Sequence, residues 1–404
     1  MKPFGKLTSL ENALKTIESN VTAICRTEKV DLDDGLGRVL AEDITAGHST
    51  PPFDRAAVDG YAVMAEDTFG STRRKPRGLE NIDRLYAGEK PQKEVGAGTC
   101  IQVATGVKMP SGADAVVMVE DVSYRNGRVE IMKPVFPGAN IARTGEDIKR
   151  GEVVLRKGQV LDPGKLGVLA SQGMSSVEVY EKPRVAVIPT GDEITAVGQA
   201  LAEGQIYDIN SHTVSAVINQ SGGNAIHFDI TGDTRQKLKA AVKEALKADL
   251  VVFSGGSSVG ERDMLADILN EEGEVLFHGI QIKPGKPTMF GIVQGKPFWG
   301  MPGYPTSCLI NAYILLSPAI RKAAHLPPEK PVQINATLGC SVSGSVGRRQ
   351  FLPVRLDGDK AVPLFKESGA ITGTALASGY IVVPENIDLL AEGSPVTVTL
   401  FKVF

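Results

Sequence analysis

The chain has 404 residues, which at roughly 100–200 residues per domain implies two to four domains. A hydrophobic share of 42% is enough to fill ordinary cores, and a net charge of −3 excludes the strongly basic character of a general nucleic-acid binder.

Near the start, Leu10, Ala13, Leu14, Ile17, Val21 and Ile24 recur at helical spacing, with Thr8 or Ser9 as the N-cap. Val30 to Ala46 predicts short strands around an Asp33-Asp34-Gly35 turn, with a helical turn at Gly37 to Leu40. From Ala56 to about Ala142, Gly, Pro and Val are dense. Short β-runs recur at Gly60 to Met64, Thr99 to Ala104, Ala115 to Val119 and Arg128 to Met132, which predicts a separate β-rich module. The basic stretch Arg73-Arg74-Lys75-Pro76-Arg77 has no interleaved aromatic residue and reads as a solvated loop. Asp162-Pro163 opens a short helix through Gln172.

Lys182 marks the clearest boundary. From Arg184 to about Ala324 strands and helices alternate, which predicts a doubly wound parallel sheet with helices on both faces. The strands are read at Arg184 to Ile188, Ala225 to Ile230, Leu250 to Phe253, Val275 to Ile282 and Pro297 to Gly300. The helices are read at Ser211 to Gln220, Thr234 to Lys247, Arg262 to Glu272 and Thr306 to Ala323. After Pro327-Pro328, runs at Val332 to Leu338, Gln350 to Leu356, Gly379 to Val383 and Pro395 to Phe401 predict a small β-barrel or sandwich.

The cysteines Cys25, Cys100, Cys308 and Cys340 are scattered without a C-x-x-C pair, which fits neither a zinc site nor a disulfide framework and suits a reducing cytoplasm. The five histidines show no metal-ligand spacing. The first twenty residues lack the apolar core of a signal peptide, and Cys308 to Ile320 falls short of the ~18–20 apolar residues of a membrane span, so a soluble, intracellular protein without a membrane partner is expected.

Several segments carry chemistry. Ser254-Gly255-Gly256-Ser257-Ser258-Val259-Gly260-Glu261-Arg262-Asp263 follows an apolar strand and leads into a helix; such a turn offers backbone N–H groups to an anion, and reads equally as a tight turn. Lys283-Pro284-Gly285-Lys286-Pro287-Thr288 is no Walker A loop, since Pro287 stands where Ser or Thr must follow the lysine. Two lysines on a proline-stiffened turn would form a pre-organised anion site, but taken alone the segment reads as an exposed turn with solvated lysines. Met301-Pro302-Gly303-Tyr304-Pro305-Thr306-Ser307 again joins a strand to a helix. Pro189-Thr190-Gly191-Asp192-Glu193 places carboxylates at a strand end, and Asp233 follows another; each reads alone as a cap or loop. Strand ends of one parallel sheet converge, so five such ends in one domain imply a phosphate-containing, nucleotide-like ligand and a Mg²⁺ ion shared by carboxylates and phosphate. In the N-terminal half, Pro51-Pro52-Phe53-Asp54-Arg55-Ala56-Ala57-Val58-Asp59-Gly60-Tyr61-Ala62-Val63 combines stiffness, charge and a glycine, or simply links two domains.

Taken with Gly37-Arg38-Val39-Leu40-Ala41-Glu42-Asp43, Thr105-Gly106 and Gly145-Glu146-Asp147-Ile148, these segments occur in an order that resembles the MoeA/gephyrin E-domain family, the molybdopterin molybdenumtransferases. The resemblance implies an elongated four-part subunit: a discontinuous linking domain at 1–50 plus 145–180, an inserted β-rich module at 51–144, an α/β molybdopterin-binding domain at 181–325 and a C-terminal β-barrel at 326–404. The α/β part is similar to the molybdopterin adenylyltransferase domain. The resemblance further implies a homodimer whose cleft is shared between subunits, and insertion of molybdate (or tungstate) into adenylylated molybdopterin with Mg²⁺-dependent release of AMP. Carried over by position, Asp59, Glu193, Asp233 and Asp263 become catalytic, the last three as Mg²⁺ ligands. Thr105, Asp147, Thr190, Ser254, Gly255, Gly256, Ser257, Lys283, Lys286, Pro302, Gly303 and Pro305 become substrate-binding. Arg348, Arg349 and Ser368 sit in segments similar to the family's last domain. Departures include Arg55-Ala56-Ala57-Val58, Gly279, and Tyr304 where the family commonly has Asn. Two other readings compete: a molybdopterin adenylyltransferase, which the extra domains argue against, and a non-catalytic carrier or scaffold, which the retained carboxylates argue against. A contact with the adenylyltransferase of the preceding step is also implied.

Overall fold

The computed structural model describes residues 7–255 and 264–401. By its internal packing the chain divides into two compact units, Lys29–Val179 and the remainder, Met1–Glu28 with Tyr180–Phe404.

In the unit Lys29–Val179, six strands form one sheet in the order Ala115–Met118, Gly60–Val63, Thr99–Val103, Arg77–Leu85, Arg128–Ile131, Val122–Arg125. Successive residues of a strand face opposite sides. Accordingly Tyr61 and Val63 enter one buried cluster with Val117 and Val129, and Ala62 enters another with Ile101 and Val116. A Cβ on Gly60 would lie 2.0 Å from the Val117 carbonyl oxygen, so glycine is required where these strands meet. The strand Arg77–Leu85 was not expected from its polar sequence; the basic stretch before it does end at this strand's first residue. A separate core gathers Leu40, Ile44, Leu155, Leu161, Leu169, Val177 and Val179 around the helix Pro163–Ser171, whose N-cap Asp162 accepts the Lys165 N–H at 2.9 Å.

In the second unit the first helix, α1 (Leu10–Asn20), is capped by Ser9, as its spacing predicts. It packs with the elements that follow Tyr180: Leu10, Ala13, Ile17 and Val21 share a cluster with Val185, Val214 and Ile320. The main sheet contains β1 (Arg184–Pro189), β2 (Asn224–His227), β3 (Leu250–Ser254), β4 (Gly273–His278), β5 (Met289–Val293) and β6 (Lys296–Met301), in the order β2-β1-β3-β6-β5-β4. The first four in that order are parallel, as expected. The pair β5 and β4 extends the sheet antiparallel, through a two-residue turn at Gln294-Gly295 with both residues at positive φ, and β5 was not expected.

Strand β1 is buried on both faces. Val185 and Val187 meet α1 and α2 (Asn210–Gln220), while Ala186 and Ile188 meet α3 (Arg235–Ala245) and α4 (Met264–Glu272). This double burial is why parallel strands read as continuous apolar runs. The last helical stretch comprises α5 (Pro305–Asn311), a π-turn at Ala312–Leu316 and α6 (Ser317–Ala323). Pro318 brings no N–H to the ladder, and the widened turn lies just before it.

The C-terminal strands β7 (Gln333–Leu338), β8 (Arg349–Asp357), β9 (Lys360–Pro363), β10 (Gly379–Val383) and β11 (Pro395–Leu400) run β8-β9-β7-β11-β10 and close through a β8–β10 pairing. They form a five-stranded barrel around Leu338, Val354, Ala361, Ile381 and Val398. No helix among the described residues is long and apolar enough to cross a membrane.

Candidate functional site

The carboxyl ends of β1, β3 and β6 are tied to one another by main-chain bonds. The Thr190 N–H donates to the Ser254 carbonyl at 3.1 Å, and the Gly255 N–H donates to the Met301 carbonyl at 3.1 Å. Gly255 has φ +102°, and a Cβ there would lie 2.6 Å from the Thr190 carbonyl oxygen. The chain thus turns sharply off the strand only because residue 255 is glycine.

A cavity of about 1340 Å³ opens at these strand ends. Thr190, Glu193, Asp233, Ser254, Gly255, Lys283, Lys286, Pro302, Gly303 and Pro305 all stand on its wall. These ten residues come from segments spread over more than a hundred positions, and the parallel sheet brings them together. Asp263, Gly256 and Ser257 lie outside the described residues.

The lysine loop is built from inside. Gly285 has φ +98°, the buried Asn311 amide donates to its carbonyl at 3.0 Å, and the Thr288 hydroxyl donates to the same oxygen at 2.8 Å. Lys283 is exposed at the cavity while the turn beneath it is fixed. A pre-organised cation on a rigid turn is the arrangement that binds an oxyanion with little ordering cost.

The carboxylates lie at the other side of β1. Glu193 folds over Gly191, where a Cβ would sit 2.7 Å from its carboxylate oxygen. The Asp233 N–H donates to Asp192 Oδ1 at 3.2 Å. The Asp233 carboxyl titrates above the ordinary carboxylate range, through desolvation first and then through the negative charges of Asp192 and Glu193. Among the described residues no three His, Cys, Asp or Glu side chains are arranged to hold a metal ion. The crowding of like charge nevertheless fits a divalent cation, which would relieve it.

The barrel closes the cavity, which the sequence did not signal. Gln350, Leu352, Leu364, Phe365 and Ser368 line it, and the Thr306 N–H and hydroxyl donate to the Ser368 and Ala370 carbonyls at 3.0 and 3.1 Å. Arg349 does not line it; its guanidinium pairs with Glu11 at 2.6 Å and Glu385 at 3.2 Å. Asp208, which accepts the Ser211 N–H of the first turn of α2 at 3.0 Å, and Asn210, which donates to the Gly303 carbonyl at 2.8 Å, also lie on the wall. No motif pointed to these two.

In the unit Lys29–Val179, Asp59 and Thr105 meet: the Thr105 N–H and hydroxyl donate to Asp59 Oδ1 at 2.6 and 2.8 Å. These bonds hold the exposed Asp59 carboxyl below its usual range. Asp54 is bound by the Thr144 N–H at 2.8 Å and by Arg143 at 2.7 Å, which lowers its pKa to about 2. Asp147 is exposed, and its N–H donates to the Thr50 carbonyl at 3.1 Å.

An α/β domain with a large, mainly apolar cavity that carries lysines, hydroxyls and carboxylates at its strand ends, walled on one side by a β-barrel, defines a small-molecule enzyme. Family models sharpen this: residues 8–173 match the MoeA N-terminal region (domain I and II), 186–322 the probable molybdopterin binding domain and 335–401 the MoeA C-terminal region (domain IV). Molybdopterin molybdenumtransferases of Haemophilus influenzae and Bacillus subtilis are each 34% identical, over 93% of this chain and 94% and 90% of theirs. Two solved MoeA structures from Pyrococcus horikoshii superpose with TM-scores of 0.85 and 0.82, at 44% and 34% identity, over 99% and 98% of this chain and all of theirs. The chain belongs to the MoeA family of molybdopterin molybdenumtransferases, enzymes of molybdenum cofactor biosynthesis.

Proposed function

We propose that the protein inserts molybdate into adenylylated molybdopterin and releases AMP in a Mg²⁺-dependent step. The observation that carries this reading is the single cavity that presents Lys283 and Lys286 together with Glu193 and Asp233. Lys283 and Lys286 would hold the dianionic molybdate, offsetting its repulsion from an anionic substrate. The Thr190 hydroxyl, and by the resemblance the glycine-rich turn after Ser254, would orient the phosphates. Glu193 and Asp233, with Asp263 implied by the resemblance, would hold Mg²⁺; when bound, it stabilises charge on the phosphate oxygens. Holding both reactants in one place supplies much of the rate.

The reading includes the four-part division at 1–50 plus 145–180, 51–144, 181–325 and 326–404. It also includes a homodimer in which Asp59, Thr105 and Asp147 of the N-terminal half complete the partner subunit's site, and a contact with the adenylyltransferase of the preceding step. The cysteines are unpaired among the described residues, in keeping with a reducing cytoplasm.

The test is AMP release from adenylylated molybdopterin by purified protein. AMP formation that requires both molybdate and Mg²⁺ supports the reading; tight pterin binding without AMP under either molybdate or tungstate refutes it in favour of a carrier.

A further inference from the structure

The cavity wall carries two chemically distinct sets of residues. Lysines, hydroxyls and carboxylates form one, as described above. In the other, Tyr304 and Phe365 stand 66% and 62% exposed, with exposed Ile206 and Tyr207 from the segment that follows β1. Exposed aromatic side chains on a convex surface are unremarked, but several lining one concave cavity mark a place where a ligand covers them.

Tyr304 carries the argument furthest. It occupies the N-cap of α5, where Ser, Thr, Asp or Asn would satisfy a free N–H, and its side chain makes no capping bond. The local rule is broken in favour of an aromatic ring at the cavity wall, which is where functional sites break such rules. On the barrel side Gly369 faces the ring, with a Cβ position 3.8 Å from Tyr304 Cδ1. Its backbone neighbour Gly303 is fixed by the Asn210 amide, so the ring projects from a turn that is held in place.

We infer that Tyr304 is a specificity-determining platform on which a planar heterocycle of the substrate stacks, while the anionic part of the same molecule reaches the lysines of the same cavity. This rests on the substrate reading above and deepens it. Adenine and pterin rings both have the required flat, polarisable face, and stacking on one aromatic side chain is worth about 5- to 150-fold in affinity.

The experiment measures dissociation constants of the full-length protein by calorimetry for AMP and for ribose 5-phosphate, which lacks the ring, and by fluorescence quenching for pterin. Wild type, Tyr304→Phe and Tyr304→Ala are compared, each checked for an unchanged thermal midpoint. Stacking of the nucleobase predicts that wild type and Tyr304→Phe bind AMP at least about fivefold tighter than ribose 5-phosphate. In Tyr304→Ala the two affinities become equal, with that for ribose 5-phosphate unchanged. Stacking of the pterin predicts instead that pterin quenching and affinity fall in Tyr304→Ala and persist in Tyr304→Phe. The inference is overturned if Tyr304→Ala keeps both the AMP preference and the pterin affinity of wild type. Wild-type AMP release, assayed alongside, separates the two claims: ring preference without AMP release sinks the activity alone, and AMP release with an indifferent Tyr304→Ala sinks the platform alone.

Discussion

The buried Asn311 amide donates to the Gly285 carbonyl at 3.0 Å, and a Cβ on Gly285 would lie only 2.3 Å from the same amide nitrogen. Helix and lysine loop are therefore fitted to one another at a point where neither residue tolerates change. Gly285 also needs its positive φ. Gly285→Ala is expected to cost about 2 kcal/mol or more, from strain and displacement of Asn311, and Asn311→Leu about 1–3 kcal/mol from the buried carbonyl's weakened satisfaction. In both variants molybdate affinity should fall along with the thermal midpoint. Wild-type affinity in a destabilised Gly285→Ala would show that the turn's shape does not matter to the oxyanion.

On the proposed reading, Asp233 would make cation binding pH-dependent. Its folded pKa is raised, so its ionisation costs stability as pH rises through the raised value, and a divalent cation that binds the ionised form relieves that cost. The increase in thermal midpoint produced by Mg²⁺ should therefore grow with pH across the mildly acidic range and shrink in Asp233→Asn. A Mg²⁺ effect independent of both pH and this substitution would remove Asp233 from the cation site.

Asp54 acts in the opposite sense. Its folded pKa of about 2 lies below its unfolded value, so the stability it contributes is complete above the unfolded pKa and is lost as pH falls toward 2. Half-exposed as it is, its bonds to Thr144 and Arg143 are worth about 1 kcal/mol after solvent screening. Asp54→Asn should lower stability at pH 7 and leave it nearly unchanged at pH 2, measured by denaturant unfolding. An equal loss at both pH values would assign the effect to packing.

Arg26 and Asp249 form a bidentate pair at 3.0 and 2.8 Å, with the Asp249 carboxylate buried and also accepting the Arg184 N–H at 2.8 Å. Burial pushes the Asp249 carboxyl up, but these bonds bring it below its usual range. Removing Arg26 leaves the buried charge with only the more distant Arg184 guanidinium, 3.8 Å away, so Arg26→Met is expected to destabilise by about 2–4 kcal/mol. A double Arg26→Met, Asp249→Leu variant should recover part of that loss; no recovery would show that the arginine matters through its stem alone.

The parallel strands and their turns were legible because doubly buried strands are uninterrupted apolar runs and their ends are punctuated by glycine and proline. Strand β5, Met289–Val293, is just such a run, but it follows the lysine loop so closely that periodicity could not separate it from its neighbour. Arg77–Leu85 escaped because most of its residues are polar and only Leu79 and Leu85 are buried, so no alternation appears. The site was legible where residues sit at strand ends. It was illegible for Asn311, which acts from a helix interior, and for Leu364 to Ala370, which reach the cavity only through docking of the barrel on the α/β domain. Such long-range placement leaves no local pattern in a sequence. Tyr304 was visible as a departure from the family's usual residue, yet its meaning depends on the cavity around it.

The most direct test of the central claim, that one cavity holds the oxyanion and the phosphoanhydride together, is the molybdate dependence of AMP release in Lys283→Ala and Glu193→Ala. The account predicts that Lys283→Ala needs roughly tenfold or more molybdate but recovers part of its rate at saturation, as loss of one charged contact should. Glu193→Ala should lose AMP release at every molybdate concentration while remaining folded. Wild-type molybdate curves in both variants would contradict it.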